Sequence, residues 1–74
     1  MRNFRLSVVV EKDKGGYFAF CPELQGCYTQ GKTHEEAIKN ITDAIKLHIK
    51  DRLACGEVIG QPTMTTLTQV EVAV

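Results

Sequence analysis

Apolar and polar side chains alternate from the start of this chain. Phe4, Leu6, Val8 and Val10 are interleaved with Arg5, Ser7, Val9 and Glu11, a period of two that predicts a strand with one strongly apolar face. Lys12-Asp13-Lys14-Gly15-Gly16 is a polar turn with two glycines, suited to a hairpin. Tyr17 to Cys21 forms the second strand, and Pro22 ends it because proline has no amide hydrogen for the ladder. Tyr28 to Gly31 is a short third strand. The spacing then changes to that of a helix from about His34 to Ala54. Ile38, Ile41, Ile45 and Ile49 fall on one stripe, flanked by Ala37, Ala44, His48 and Leu53. Glu35, Glu36, Lys39, Asn40, Asp43, Lys46 and Lys50 fill the other side, with Glu35 and Lys39 four apart as a favourable pair. Thr33 and Glu36 spell a capping box at the helix start, and Gly56 is placed to end the helix. From Leu67 to Val74 the period of two returns, with Val70, Val72 and Val74 set against Gln69, Glu71 and Ala73. The order is β-β-β-α-β, an α+β fold with one sheet and a single long helix on one face. No repeat, low-complexity stretch or linker divides residues 1–74, which read as one domain.

Composition narrows the function classes. A chain of 74 residues sits near the lower limit for a self-supporting core, so a disulfide, a metal or a partner subunit is the usual supplement. Three cysteines, Cys21, Cys27 and Cys55, cannot all pair within one chain. No leader-like segment precedes the first strand and no run is long enough to span a bilayer. The expectation is a cytoplasmic protein with reduced thiols and no membrane partner, which leaves subunit association as the supplement. Nine basic and nine acidic residues cancel and are mixed along the chain. Proteins that grip phosphates carry a basic patch, so direct nucleic-acid binding is not expected.

The most specific motif lies in the middle of the chain. Gly16-Tyr17, Cys21-Pro22-Glu23-Leu24, Gly26-Cys27, Gly31, Thr33 and Glu35-Glu36-Ala37 resemble, in this order and spacing, the signature of the HicB antitoxin family. The resemblance covers roughly Phe4 to Leu53. Gln25 stands where proline is frequent in that family, and Lys32 where an acidic residue is frequent. The resemblance implies a partial RNase H-like fold, and β-β-β-α-β is the first half of that topology. It also implies a partner, a HicA-like toxin. Such toxins are small, basic, RNA-cleaving proteins, and the antitoxin neutralises them by covering the catalytic histidine. Many members carry a C-terminal DNA-binding module; this chain reaches Val74 without one, so operator binding by it is not expected. The alternative is an orphan protein of the same fold that binds another protein or a small ligand.

No catalytic, metal or cofactor site is expected. A two-metal nuclease needs converging carboxylates, and the middle of the first strand holds Leu6, Ser7, Val8 and Val9 instead, with Glu11 at its end. Cys21 and Cys27, with His34 further on, have a spacing that suits zinc poorly. They read as small buried side chains at strand ends, with a redox pair as the alternative. His34 reads as a solvent-facing residue of the first helical turn, His48 as a boundary residue and Cys55 as packed under the helix end. Leu47 stands opposite the isoleucine stripe amid Asp43, Lys46 and Lys50 and is a candidate partner contact. Val70, Val72 and Val74 are candidate dimer contacts. From Leu67 to Val74 there is no lysine, proline or glycine to blunt a sheet edge, so a homodimer or a dimer of dimers is expected, joined through this strand.

Overall fold

The computed structural model describes residues 3–74. Three antiparallel strands, β1 (Val9–Asp13), β2 (Gly16–Phe20) and β3 (Tyr28–Gly31), are followed by one helix, α1 (His34–Ala54). The sheet order is β1-β2-β3. The α+β class and the single long helix on a single sheet are as expected, and the helix limits match the expected ones.

The hairpin register sets Val9 opposite Phe20 and Asp13 opposite Gly16, which leaves Lys14 and Gly15 as the turn. The Asp13 side chain fastens it by accepting the Gly15 N–H at 2.8 Å. β1 begins five residues later than the apolar alternation suggests, for an identifiable reason. Beyond Phe20 the neighbouring strand turns away at Pro22, so residues before Val9 lose their ladder partner. Their amides go to side chains instead: Ser7 N–H donates to both carboxylate oxygens of Glu23 at 3.1 and 3.2 Å, and Arg5 N–H to Oε1 of Gln61 at 2.7 Å. Phe4, Leu6, Val8 and Val10 still pack against the core, so the alternation identified a buried face correctly but not a paired strand.

The loop from Cys21 to Cys27 is two consecutive turns. Leu24 N–H donates to the Cys21 carbonyl and Cys27 N–H to the Leu24 carbonyl, both at 3.1 Å, and Cys21 N–H closes the loop on the Cys27 carbonyl at 3.0 Å. Leu24 thereby points inward and joins Ala19, Cys21, Cys27, Ala37, Ile41 and Ile59 in the core.

Helix α1 starts as its capping box requires, with one difference. Thr33 Oγ1 accepts the Glu36 N–H at 3.0 Å, while the Glu36 carboxylate reaches the amide of Lys32, not of Thr33, also at 3.0 Å. The helix end is a Schellman arrangement: Gly56, at φ 79°, donates to Leu53, and Glu57 donates to Arg52 at 2.9 Å. Gly31 brings the helix and sheet together. A Cβ there would lie 2.5 Å from the Ala37 nitrogen, so the first helical turn rests directly on the β3 backbone. Of the stripe, Ile41 is fully buried and Ile45 and Ile49 half-buried, but Ile38 lies at its margin and is exposed. Lys39 pairs with Asp43 at 3.2 Å and not with Glu35, on a solvated face where such choices cost little. Cys55 is exposed at the helix cap, contrary to the packed position expected.

The returning strand is a correction. Residues 58–74 contain no regular element, and Val70, Val72 and Val74 are exposed, not paired beside β1. Ile59 is buried and Gln61 holds Arg5; past them the tail follows residues 5–10 in the same direction without forming a ladder. A parallel pair must be brought in by a crossover and is less stable per residue than an antiparallel one. Among the described residues no further strand flanks the tail to fix it.

Candidate interaction surface

The residues of the central motif come together, and they act mainly as structure. Thr33 and Glu36 cap α1, Gly31 admits it, Ala37 is buried beneath it, and Cys21, Leu24 and Cys27 fill the core. Pro22 and Gly26 shape the two turns, and Gly16 closes the hairpin. Tyr17 packs on the core and meets the His34 ring edge-on at 6.2 Å. Glu35 lies exposed in the first helical turn.

Glu23 links the loop to the N-terminal segment. Burial opposes its ionisation, but the hydrogen bonds from Ser7 outweigh it and hold the carboxyl below the ordinary carboxylate range. Cys21 lies 3.6 Å from this carboxylate. Burial first, and the neighbouring negative charge besides, push the Cys21 thiol up. Burial also raises Cys27, with Arg52 opposing it in part. Thiols shifted in this direction hold little thiolate at neutral pH and are poor nucleophiles. Arg52 also ties the loop to the end of α1 by donating to the Gln25 carbonyl at 2.8 Å.

The carboxylates do not converge. Glu11 is on β1, Glu35 and Glu36 open the helix, and Glu71 is on the tail. Among the described residues no three His, Cys, Asp or Glu side chains are grouped to hold a metal, and no helix is long and apolar enough to cross a membrane.

What the chain does present is a half-buried aromatic cluster on the outer face of the sheet. Ala19 faces α1, so Phe18 and Phe20 project from the opposite face of the sheet. The register puts Val9, Phe20 and Tyr28 in one row and Glu11, Phe18 and Gln30 in the next. Phe18 stacks on Tyr28 with centroids 5.9 Å apart and lies 6.1 Å from Phe20, while Tyr28 remains 62% exposed. This aromatic face went unread in the sequence. The signal was Tyr17-Phe18-Ala19-Phe20, which places large side chains on both faces of one strand. Leu47, 68% exposed, stands on the outer side of α1 as expected.

These features define a small α+β domain built around a cross-braced loop, with a half-covered aromatic cluster on the outer face of its sheet. The chain belongs to the HicB-like antitoxin family: the family model described as "HicB_like antitoxin of bacterial toxin-antitoxin system" matches residues 6–72. A UPF0150 protein of Helicobacter pylori is 54% identical over 46 residues, covering 62% of this chain and 64% of the relative. One from Synechocystis is 54% identical over 52 residues, 69% of this chain and 66% of the relative. One from Thermoplasma acidophilum is 37% identical over 65 residues, 86% of this chain and 94% of the relative. The chain thus spans just under two thirds of the first two relatives. No solved structure matches it.

Proposed function

We propose that this chain is a non-catalytic interaction module of the cytoplasm that binds and occludes a small, basic, HicA-like RNA-cleaving toxin. The observation that carries the proposal is the match to the antitoxin family over residues 6–72. The physical features agree with a protein partner. Balanced charge gives no excess of positive charge for gripping phosphates, which favours a protein over RNA as the ligand. Phe18, Phe20 and Tyr28 offer the aromatic cluster typical of strongly contributing interface residues. Glu11 beside Phe18 puts a negative charge on the same face, which suits a basic partner. This sheet face is the contact we propose for the toxin, with Leu47 on α1 as a second, separate contact. The module works as a homodimer or a dimer of dimers.

Co-expression with a short, basic, histidine-containing HicA-like toxin tests this. The expected result is relief of toxicity and a complex that co-purifies, weakened at least tenfold by Phe18→Asp with the far-UV spectrum unchanged. A toxin of this class that neither co-purifies nor is relieved would sink the proposal.

A further inference from the structure

The tail is out of keeping with the rest of the molecule. Residues 58–74 make no backbone–backbone hydrogen bond with other described residues, yet Val58, Met64, Leu67, Val70, Val72 and Val74 are all largely exposed. A folded monomer of 8.2 kDa exposes about 4,500 Å² by the usual size scaling, whereas this chain exposes 6253 Å². The excess, on the order of 1,700 Å² per chain, falls within the range that one partner of an obligate dimer buries. The radius of gyration agrees: 14.1 Å against about 11 Å for a compact chain of this length.

The sheet has a place for such a segment. Among the described residues β1 pairs only with β2, and its other edge carries no strand. The chain's own tail approaches that edge without closing it. Open clefts of about 250 and 460 Å³ are lined jointly by the two segments, the first by Arg5–Ser7 with Pro62–Thr65 and the second by Ser7–Val10 with Thr65–Leu67. Valines at every second position from Val70 to Val74, with Glu71 the sole charge from Leu67 onward, make a sequence that favours a strand and does not repel its own copy.

We propose that Leu67–Val74 is an intersubunit β-strand: in a two-fold dimer, each tail enters the gap along the β1 edge of the other copy. The proposal rests on the homodimer reading above and goes further by naming the segment and its seat. The arrangement is isologous, so two copies satisfy each other and leave no open tail. It covers an edge and an apolar segment that would otherwise invite aggregation.

Sedimentation velocity of the intact chain at micromolar concentration, without toxin, gives the first readout. The expected mass is twice the 8.2 kDa of the chain. Val72→Lys and Val70→Asp, both at exposed positions, return it to the monomer with the helical spectrum retained. Hydrogen exchange gives the second. The amides of residues 67–74 are slowed at least tenfold in the dimer and lose that protection on dilution. A dimer that survives both substitutions overturns the tail exchange but leaves the homodimer standing. A monomeric wild type overturns both. Protection that persists on dilution means the tail closes on its own chain, and protection that arises only on adding the toxin gives the tail to the toxin; either overturns the proposal.

Discussion

Gly31→Ala isolates the contact on which the helix and sheet depend. The added Cβ would lie 2.5 Å from the Ala37 nitrogen, 2.9 Å from its Cα and 3.0 Å from the Glu36 carbonyl carbon. All three are backbone atoms of the first helical turn, so no side chain can swing aside. Restoring ordinary contact at 3.4 Å requires α1 to lift by about 1 Å from β3. That movement strains three features that now meet there. Asn40 Nδ2 donates to the Gln30 carbonyl at 2.9 Å, the Tyr17 and His34 rings meet edge-on, and Ala37 is fully buried. Overpacking of this kind costs about 3 kcal/mol. A 74-residue domain holds roughly 4–11 kcal/mol in all, so the loss is a large fraction. Urea unfolding followed by far-UV circular dichroism should show it, and the melting midpoint should fall on the order of 15 °C. A midpoint within about 0.5 kcal/mol of wild type, the ordinary range for a surface substitution, would refute the claim that this motif glycine is structural.

Thr29→Val should stabilise the fold by about 1 kcal/mol, because the buried Thr29 hydroxyl has no hydrogen-bond partner among the described residues; a lower urea midpoint would contradict that. Thr33→Ala should cost about 1 kcal/mol through loss of the helix cap, and an unchanged midpoint would mean that the cap is idle. Glu23 should make stability pH-dependent. Its carboxyl ionises more readily folded than unfolded, so its stabilisation is complete above the unfolded value of about 4.3 and is lost as pH falls through the folded one. Glu23→Gln should therefore weaken the protein more at pH 7 than at pH 3, and an equal loss at both would refute the charge argument.

The elements legible in the sequence are those set by neighbours along the chain. Thr33, Glu36 and Gly56 fix the limits of α1 through contacts within a few residues, and the hairpin turn is equally local. What escaped depends on distant partners. The pattern from Phe4 to Val10 shows a face, but whether that face belongs to a strand depends on Pro22 diverting the neighbouring strand and on Glu23 and Gln61 capturing the freed amides. The same holds for Val70, Val72 and Val74. Their alternation is a strand signal, but the tail forms no ladder with the β1 edge of its own chain. The aromatic sheet face was missed because strand periodicity was used to find one buried side, whereas β2 is apolar on both. The motif was recognisable, but its residues prove to be scaffold: they brace the loop and seat the helix, and the surface proposed for the partner lies on Phe18, Phe20 and Tyr28 beside them.

A scaffold of this kind suits an inhibitor that acts by covering. Such a protein needs a rigid face held in place, and the Cys21–Cys27 loop braces that face from both sides, through Glu23 to Ser7 and through Gln25 to Arg52. The most direct measurement is RNA cleavage by a HicA-like toxin of the proposed kind, followed as the purified chain is titrated in. Cleavage should fall to background at one binding site per toxin, and Phe18→Asp should require at least tenfold more protein for the same inhibition. Undiminished cleavage at saturating concentrations of a correctly folded chain would contradict the antitoxin function.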